Sequence, residues 1–559
     1  MPDGLNIDLD GIREPHAREL VVQLLNLLEE VMSALRESQA ENQRLRDEIN
    51  RLKGEQGKPK IKANTAVPER RNYSSEAERR RKREWSKSSK TDEIHIDREE
   101  VVPVDPDTLP ADAEFKGYEE AVVQDVVFTS DNVLFRKEKW YSPSERKTYL
   151  AALPAGYAGQ FGPGIRALAL VLYYGAQTSE PKVVEFLRSM GVSISDGQVS
   201  NLLIKDHTAF HAEKDALYAA ALAASPWQNL DDTSTRVNGQ NQYCHIVASP
   251  LHTSYFTKPA KDRLTIIDVL RGDRPRQFVV NAEALGLAEQ LGLSAKRREQ
   301  MARLPRSESV DEVTFLSWLK ADLPDLGPIQ RQWVLDACAI AAYHAETEFP
   351  VLRLLVVDGA PQFNLITEAL ALCWVHEGRH FKKLVAWLPR NAHLVEAFLG
   401  EFWAYYGDLL AYQEQPSPQE AERLSQAFDT LFAQKTGYRS LDERIAMTAA
   451  KKDLLLAALA HPEIPLHNNA AELGARARVR KRDVSFGPRT KDGAKAWDTF
   501  MTLAATAKKL GISFHRYILD RVSATNAMPS LADIIRLRAP ELELASSWRE
   551  RHELPTPDF

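Results

Sequence analysis

The 559-residue chain has only three cysteines, Cys244, Cys338 and Cys373, and no Cys-x-x-Cys pair. A disulfide scaffold and a four-cysteine zinc site are therefore excluded, and so few thiols fit a reducing compartment. Long apolar runs are also missing. The best, residues 167–176, is about half of the ~20 residues that a bilayer-spanning helix needs. The opening residues, MPDGLNIDLDG, carry neither the basic nor the apolar stretch of a signal peptide. The expectation is a soluble cytoplasmic protein with no membrane partner. An excess of positive charge is lacking too: 72 Lys and Arg face 78 Asp and Glu, a net charge of −6. Taken whole, that balance speaks against a protein that coats nucleic acid. The 44% hydrophobic content excludes a wholly disordered chain. The length suits about three to five structural units.

The charge is segregated, however. Residues 51–90 hold 14 Lys and Arg against 5 Glu, a local balance of +9, with Arg79-Arg-Arg-Lys-Arg83 followed by Trp85. Residues 473–495 hold 8 basic residues against Asp483 and Asp492, a balance of +6. The remaining 496 residues therefore carry −21. Two basic strips on an acidic body match a protein that meets DNA phosphates locally; the plainer reading is a solvated tail and a solvated helix face.

What is present divides the chain into six stretches. In 1–53 a heptad places Val21, Leu28, Leu35, Asn42 and Ile49 at a positions, and Leu24, Val31, Ser38, Leu45 and Leu52 at d. This predicts either a coiled coil joining two or more copies, with Asn42 fixing register, or a helix packed on its own domain. Residues 54–113 read as a basic flexible linker. Residues 114–148 read as a small β module with no cysteine, from stretches such as 121–128 and 133–135. Residues 149–225 read as helical. There, 181–190, a glycine turn and a second helix capped by Ser195 resemble a helix-turn-helix with Gln198, Ser200 and Asn201 outward, a pattern ordinary helical hairpins also make. Residues 226–525 follow as an α/β unit with helical insertions near 274–348 and 390–460, and 526–559 as a C-terminal tail.

Within the α/β unit, residues 227–237 predict a strand containing Asp231, and an Asn-Gly turn leads into a meander. Residues 352–357 form a near-continuous apolar run ending in Asp358-Gly359, the pattern of a buried parallel strand delivering a carboxylate at its C-terminal end. Residues 371–376 read as another buried strand. Asn468 or Asn469 is expected to cap a helix carrying Glu472. Any one such carboxylate is more often structural. Three that converge can hold two hard divalent cations, Mg2+ or Mn2+, about 3.5–4 Å apart, for in-line phosphoryl displacement. No serine, histidine and aspartate set suggests a side-chain nucleophile instead.

Several strings resemble successive motifs of the insertion-sequence-66 family of DDE transposases: Asp231-Asp-Thr, Val357-Asp-Gly359, Cys373-Trp-Val-His-Glu-Gly-Arg-His-Phe381 and Pro465-Leu-His-Asn-Asn-Ala-Ala-Glu472. Similarity continues through Arg480-Lys-Arg482, Gly487, 499–511 and Tyr517-Ile-Leu, so it spans most of the chain. The resemblance implies a ribonuclease-H-like mixed α/β core with helical insertions, preceded by the coiled coil and a helical DNA-binding region. It implies a catalytic, metal-binding triad of Asp231, Asp358 and Glu472, with Asp232 the rival for the first position. His376 and Arg379 match residues near the scissile phosphate; the bland alternative is a buried thiol at Cys373 and a satisfied strand histidine at His376.

The basic stretch after Glu472 offers Arg476, Arg480, Lys481 and Arg482 as phosphate contacts. The implied partners are double-stranded DNA, as terminal inverted repeats and target, a second copy of the chain, and accessory transposition proteins, in a bacterial, nucleoid-associated setting. Two departures from the family stand out: no cysteine zinc module follows the linker, and 274–348 lengthens the gap between Asp231 and Asp358. The implied reaction is hydrolysis and strand transfer at the element's ends. The alternatives are a relative that only grips DNA, and a nuclease on the same core.

Overall fold

Alternating and apolar stretches of the α/β unit assemble into a five-stranded mixed sheet. Its strands are β1 (Trp227–Val237), β2 (Gln240–Ala248), β3 (Thr253–Lys258), β4 (Leu354–Val357) and β5 (Ala369–Leu372). The computed structural model describes residues 11–52, 94–110, 113–126, 128–157, 159–305 and 308–550. The basic run 79–83 and Trp85 lie outside the described residues, as does most of the expected linker.

Strand order is β3-β2-β1-β4-β5. The Asn238-Gly239 turn takes positive φ at both residues, 49° and 75°, the geometry that a tight right-twisted hairpin requires. It sets β1 antiparallel to β2, with Asp231 opposite Ile246. β4 then runs parallel to β1, with Asn229 opposite Val356, and β5 parallel to β4. All four residues of β4 are buried, as its unbroken apolar sequence demands of a strand covered on both faces.

Two C-terminal helices hold this sheet. α8 (Asn469–Ser485) lies across β1 and β2, and α9 (Lys491–Lys509) runs along β3. β3 is an edge strand, and such an edge exposes a row of N–H groups. Here Asp498, Thr502 and Thr506, at four-residue spacing on α9, accept from the N–H groups of Thr257, Tyr255 and Thr253 at 2.6, 3.0 and 3.3 Å. The edge is closed by side chains of a helix. α8 comes so near that a Cβ at Gly474 would lie 2.6 Å from Ile246 Cγ2 and 3.0 Å from Thr253 Cγ2. Gly474→Ala is therefore expected to cost about 1–3 kcal/mol through overpacking. The check is a lower urea midpoint at unchanged m-value.

The remaining helices extend the same core. α2 (Glu180–Ser189), α3 (Asp196–Ile204) and α4 (Thr208–Ala223) precede the sheet, α5 (Pro328–His344) leads into β4, and α6 (Trp374–Lys382) and α7 (Pro389–Glu414) follow β5. One continuous set of buried side chains runs from Ala167 to Trp548. The expected boundary near 225 is thus not a boundary between cores. Nor is the region after 526 a loose tail up to residue 550: Leu531, Ile534 and Ile535 are buried, and Trp227 Nε1 donates to the Leu544 carbonyl at 2.9 Å.

Three local expectations are corrected. Residues 113–126 and 128–138 form no strand; the β structure is one exposed hairpin, Lys139–Ser142 with Lys147–Leu150. Alternation there had no sheet to bury its apolar face. The apolar run 371–376 is split: β5 stops at Leu372, and Cys373 begins α6 with its sulfur accepting from the His376 N–H at 3.4 Å. Asn468 stands at the start of α8 but makes no side-chain cap, because its side chain is engaged elsewhere.

One face of α1 (Pro15–Leu52) packs at the start of α7. Leu25 and Leu388 are buried together. The buried Glu29 carboxylate accepts from the N–H groups of Trp387 and Leu388 and from Asn391 Nδ2, at the start of α7. Yet the heptad residues Leu24, Val31, Leu35, Leu45, Ile49 and Leu52 stand exposed.

Candidate active site

The sheet order brings the two aspartates together. Asp231 lies in β1, and Asp358 directly follows β4, its parallel neighbour. Successive strand residues face opposite sides. Asn229, Asp231 and Ile246 therefore face α8, which carries Glu472 in its first turn. Asp232 faces the other way, within 3.6 Å of Lys261 Nζ and accepting from Gln362 Nε2 at 3.3 Å.

Charge in this corner is one-sided. Burial pushes the Asp231 carboxyl up to about 7; the Asp232 N–H donated to it lowers it, while the charges of Asp358, Glu472 and Asp232 raise it further. So the charges of Asp358 and Glu472, from two distant parts of the chain, reach Asp231. Glu472 is not free, however. Arg379, on the second turn of α6, donates Nη1 to its Oε1 at 3.2 Å and Nη2 to its Oε2 at 3.0 Å. His376 lies on the same helix, its pKa lowered first by burial, with Asp358 and Glu472 opposing and Arg379 reinforcing that shift. His376 is thus a helix residue beside the carboxylates and not a strand histidine. Among the described residues, no three His, Cys, Asp or Glu side chains converge closely enough to hold a metal ion as they stand.

Cys373 and Asn468 build the frame around this corner. The Cys373 sulfur accepts from the N–H of Asn468 at 3.3 Å as well as from that of His376, so the start of α6 is tied to the start of α8. Burial pushes this thiol up to about 11, so it stays protonated. Asn468 Nδ2 donates to the Leu230 carbonyl at 2.8 Å, and its Oδ1 accepts from Asn229 Nδ2 at 3.0 Å. Side chains of the Asn-Asn and Cys-Trp strings thus fix Glu472 and Arg379 against β1 without reacting themselves.

The expected DNA-contacting residues separate into two groups. Arg476 and Arg480 are exposed, and Arg482 donates to the Ser234 carbonyl while remaining partly open. Lys481 is buried. Its Nζ donates to the carbonyls of Tyr173 at 2.6 Å and Thr178 at 3.1 Å, and burial lowers its pKa to about 7. The spacing of 474, 478 and 481 marks the inward stripe of α8, which counting charges overlooked. Gln198 and Ser200 are half-buried rather than outward. Ser195 caps α3 as expected, but Gln198 completes a capping box with it and also bonds Gln160. Asn201 is exposed. Arg476→Gln is expected to lower the salt dependence of DNA binding by about one unit of log–log slope. Lys481→Met should leave that slope unchanged, and titration of duplex binding against salt checks both.

The model of the Transposase IS66 family matches residues 344–496, which contain Asp358, all of α6 and Glu472 but not Asp231. A protein of Sinorhizobium fredii (strain NBRC 101917 / NGR234), named only as uncharacterized protein y4jO, is 32% identical over 325 residues. That alignment covers 57% of this chain and 99% of the relative. No solved structure matches. Among the described residues, no helix is long and apolar enough to cross a membrane. The chain belongs to the IS66 family of transposases.

Proposed function

We propose that this transposase-family chain is an active DNA transposase, which hydrolyses strands at the ends of its element and joins them to target DNA. The single observation that carries this reading is topological: Asp231 in β1 and Asp358 at the end of its parallel neighbour β4 lie beside the start of α8, which Asn468 ties to Leu230 and Asn229 and whose first turn carries Glu472. The strand order, three antiparallel strands followed by two parallel ones, supports a ribonuclease-H-like core.

The donor set fits hard divalent cations. It offers only carboxylate oxygens, and burial first, then the charges of its acidic neighbours, raises the carboxyl of Asp231, a cost that a bound cation would offset. Asp231, Asp358 and Glu472 would hold Mg2+ or Mn2+, two ions in the reading preferred here. When bound, these supply Lewis-acid polarisation of the scissile phosphate and activation of the attacking oxygen. The chain's own groups orient the substrate. Arg379 and His376 stand beside the carboxylates, and Arg476 and Arg480 continue the positive face along α8. The exposed heptad residues of α1 would pair two copies, so that two DNA ends are held together.

The test is strand cleavage and joining on duplexes bearing the element's ends, with Mg2+ or Mn2+ and with chelator. Divalent-dependent cleavage followed by joining is expected. Binding without cleavage would leave a relative that only grips DNA, and cleavage without joining a nuclease.

A further inference from the structure

The charges of Asp358 and Glu472 reach Asp231, yet the three do not form a ready cation cage among the described residues. One member of the set is already paired. Both oxygens of Glu472 are occupied by the guanidinium of Arg379, at 3.2 and 3.0 Å. The two partners differ in access: the Arg379 side chain is 42% exposed and that of Glu472 only 17%. A guanidinium fork matches a phosphate as well as it matches a carboxylate, with the same two parallel donors. A DNA phosphate arriving at the open side therefore competes for the group that covers Glu472.

We propose that the Arg379–Glu472 pair is an autoinhibitory contact that couples DNA occupancy to cation occupancy. Without DNA, Arg379 holds Glu472 and divalent ions bind weakly. With DNA, a phosphate takes Arg379, and Glu472 completes the cation site. The coupling is reciprocal, so cations tighten DNA binding by the same factor. The bond from Asn468 N–H to Cys373 Sγ ties the start of α6, which carries Arg379, to the start of α8, which carries Glu472. This inference rests on the carboxylate site proposed above.

The experiment titrates Mn2+ alone into the full chain, with and without a short duplex, subtracting the titration of duplex alone. For the unmodified chain the duplex is expected to tighten Mn2+ binding about tenfold, within the usual range of coupling factors. Arg379→Gln should bind Mn2+ about tenfold tighter without duplex, and gain little when duplex is added. Arg379→Lys keeps the charge but loses the fork, and should fall between the two, which separates release of Glu472 from simple removal of a positive charge. Equal Mn2+ affinity in the unmodified chain and Arg379→Gln without duplex would overturn the coupling, provided Asp358→Ala still weakens Mn2+ binding. Mn2+ binding that is absent throughout, or indifferent to Asp358→Ala, would overturn the carboxylate site and the coupling together.

Discussion

Asp358→Ala is expected to reduce divalent-dependent strand cleavage by more than about a hundredfold, because even outer partners of metal ligands cost about 10–100-fold when removed. The substitution leaves the fold in place. Asp358 sits just past the buried β4, is only half-buried, and accepts from the Ala360 N–H at 3.1 Å in a local turn. Asp232→Ala is the matched control. It removes the β1 carboxylate next to Asp231, which faces Lys261 and Gln362 instead of α8. Its expected cost is below about tenfold, less than one such outer partner typically contributes. Cleavage rates of both variants, taken with their melting temperatures, check the assignment. An Asp358→Ala enzyme that keeps more than a tenth of its activity would sink it.

The second large effect is on stability. Asp498→Ala is expected to destabilise the chain by about 3–5 kcal/mol, the usual cost of leaving one partner of a buried ion pair uncompensated. Arg478, whose side chain is 1% exposed, lies 3.3 Å from Asp498 Oδ1. It also donates to Thr257 Oγ1, and Asp498 in turn accepts from the Thr257 hydroxyl and N–H. Removing the carboxylate strands a guanidinium and reopens the β3 edge in one step. Thr502→Val, which removes the partner of the Tyr255 N–H and the hydroxyl's own bond to the Asp498 carbonyl but no charge, should cost about 1–3 kcal/mol. Denaturant unfolding of the two variants side by side gives the comparison. Equal midpoints would mean that the pair contributes little beyond the neighbouring hydrogen bonds.

The residues that position the site were legible where local chemistry was strong. An Asn-Gly turn between alternating stretches, and an apolar run ending in Asp358-Gly359, dictate a hairpin and a buried strand whatever surrounds them. Glu472 on a helix was legible for the same reason. Less legible was whatever depends on which side of an element faces inward. Lys481 and Arg478 count as basic residues in the sequence, but helix period turns both toward the core while Arg476 and Arg480 face out. The run 371–376 is apolar enough for a strand. It changes to a helix at Cys373, whose sulfur caps α6 by accepting from the His376 N–H and is itself held by the N–H of Asn468, a partnership between residues far apart in sequence. The roles of Thr502, Thr506 and Asp498 were equally hidden: their four-residue spacing was readable, but not the strand edge it serves.

The anchoring of α1 has a mechanical consequence. Glu29 accepts from the N–H groups of Trp387 and Leu388 just before α7, where the partial positive charge of a helix terminus favours a carboxylate, and the Arg36 guanidinium lies over the Trp387 ring at 4.2 Å. From Glu29 to Leu52, at 1.5 Å per residue, α1 reaches about 35 Å past this joint. It is a boom with one clamped end. A load applied at its tip is delivered as torque to the start of α7, whose body packs against α6, the helix that bears Arg379.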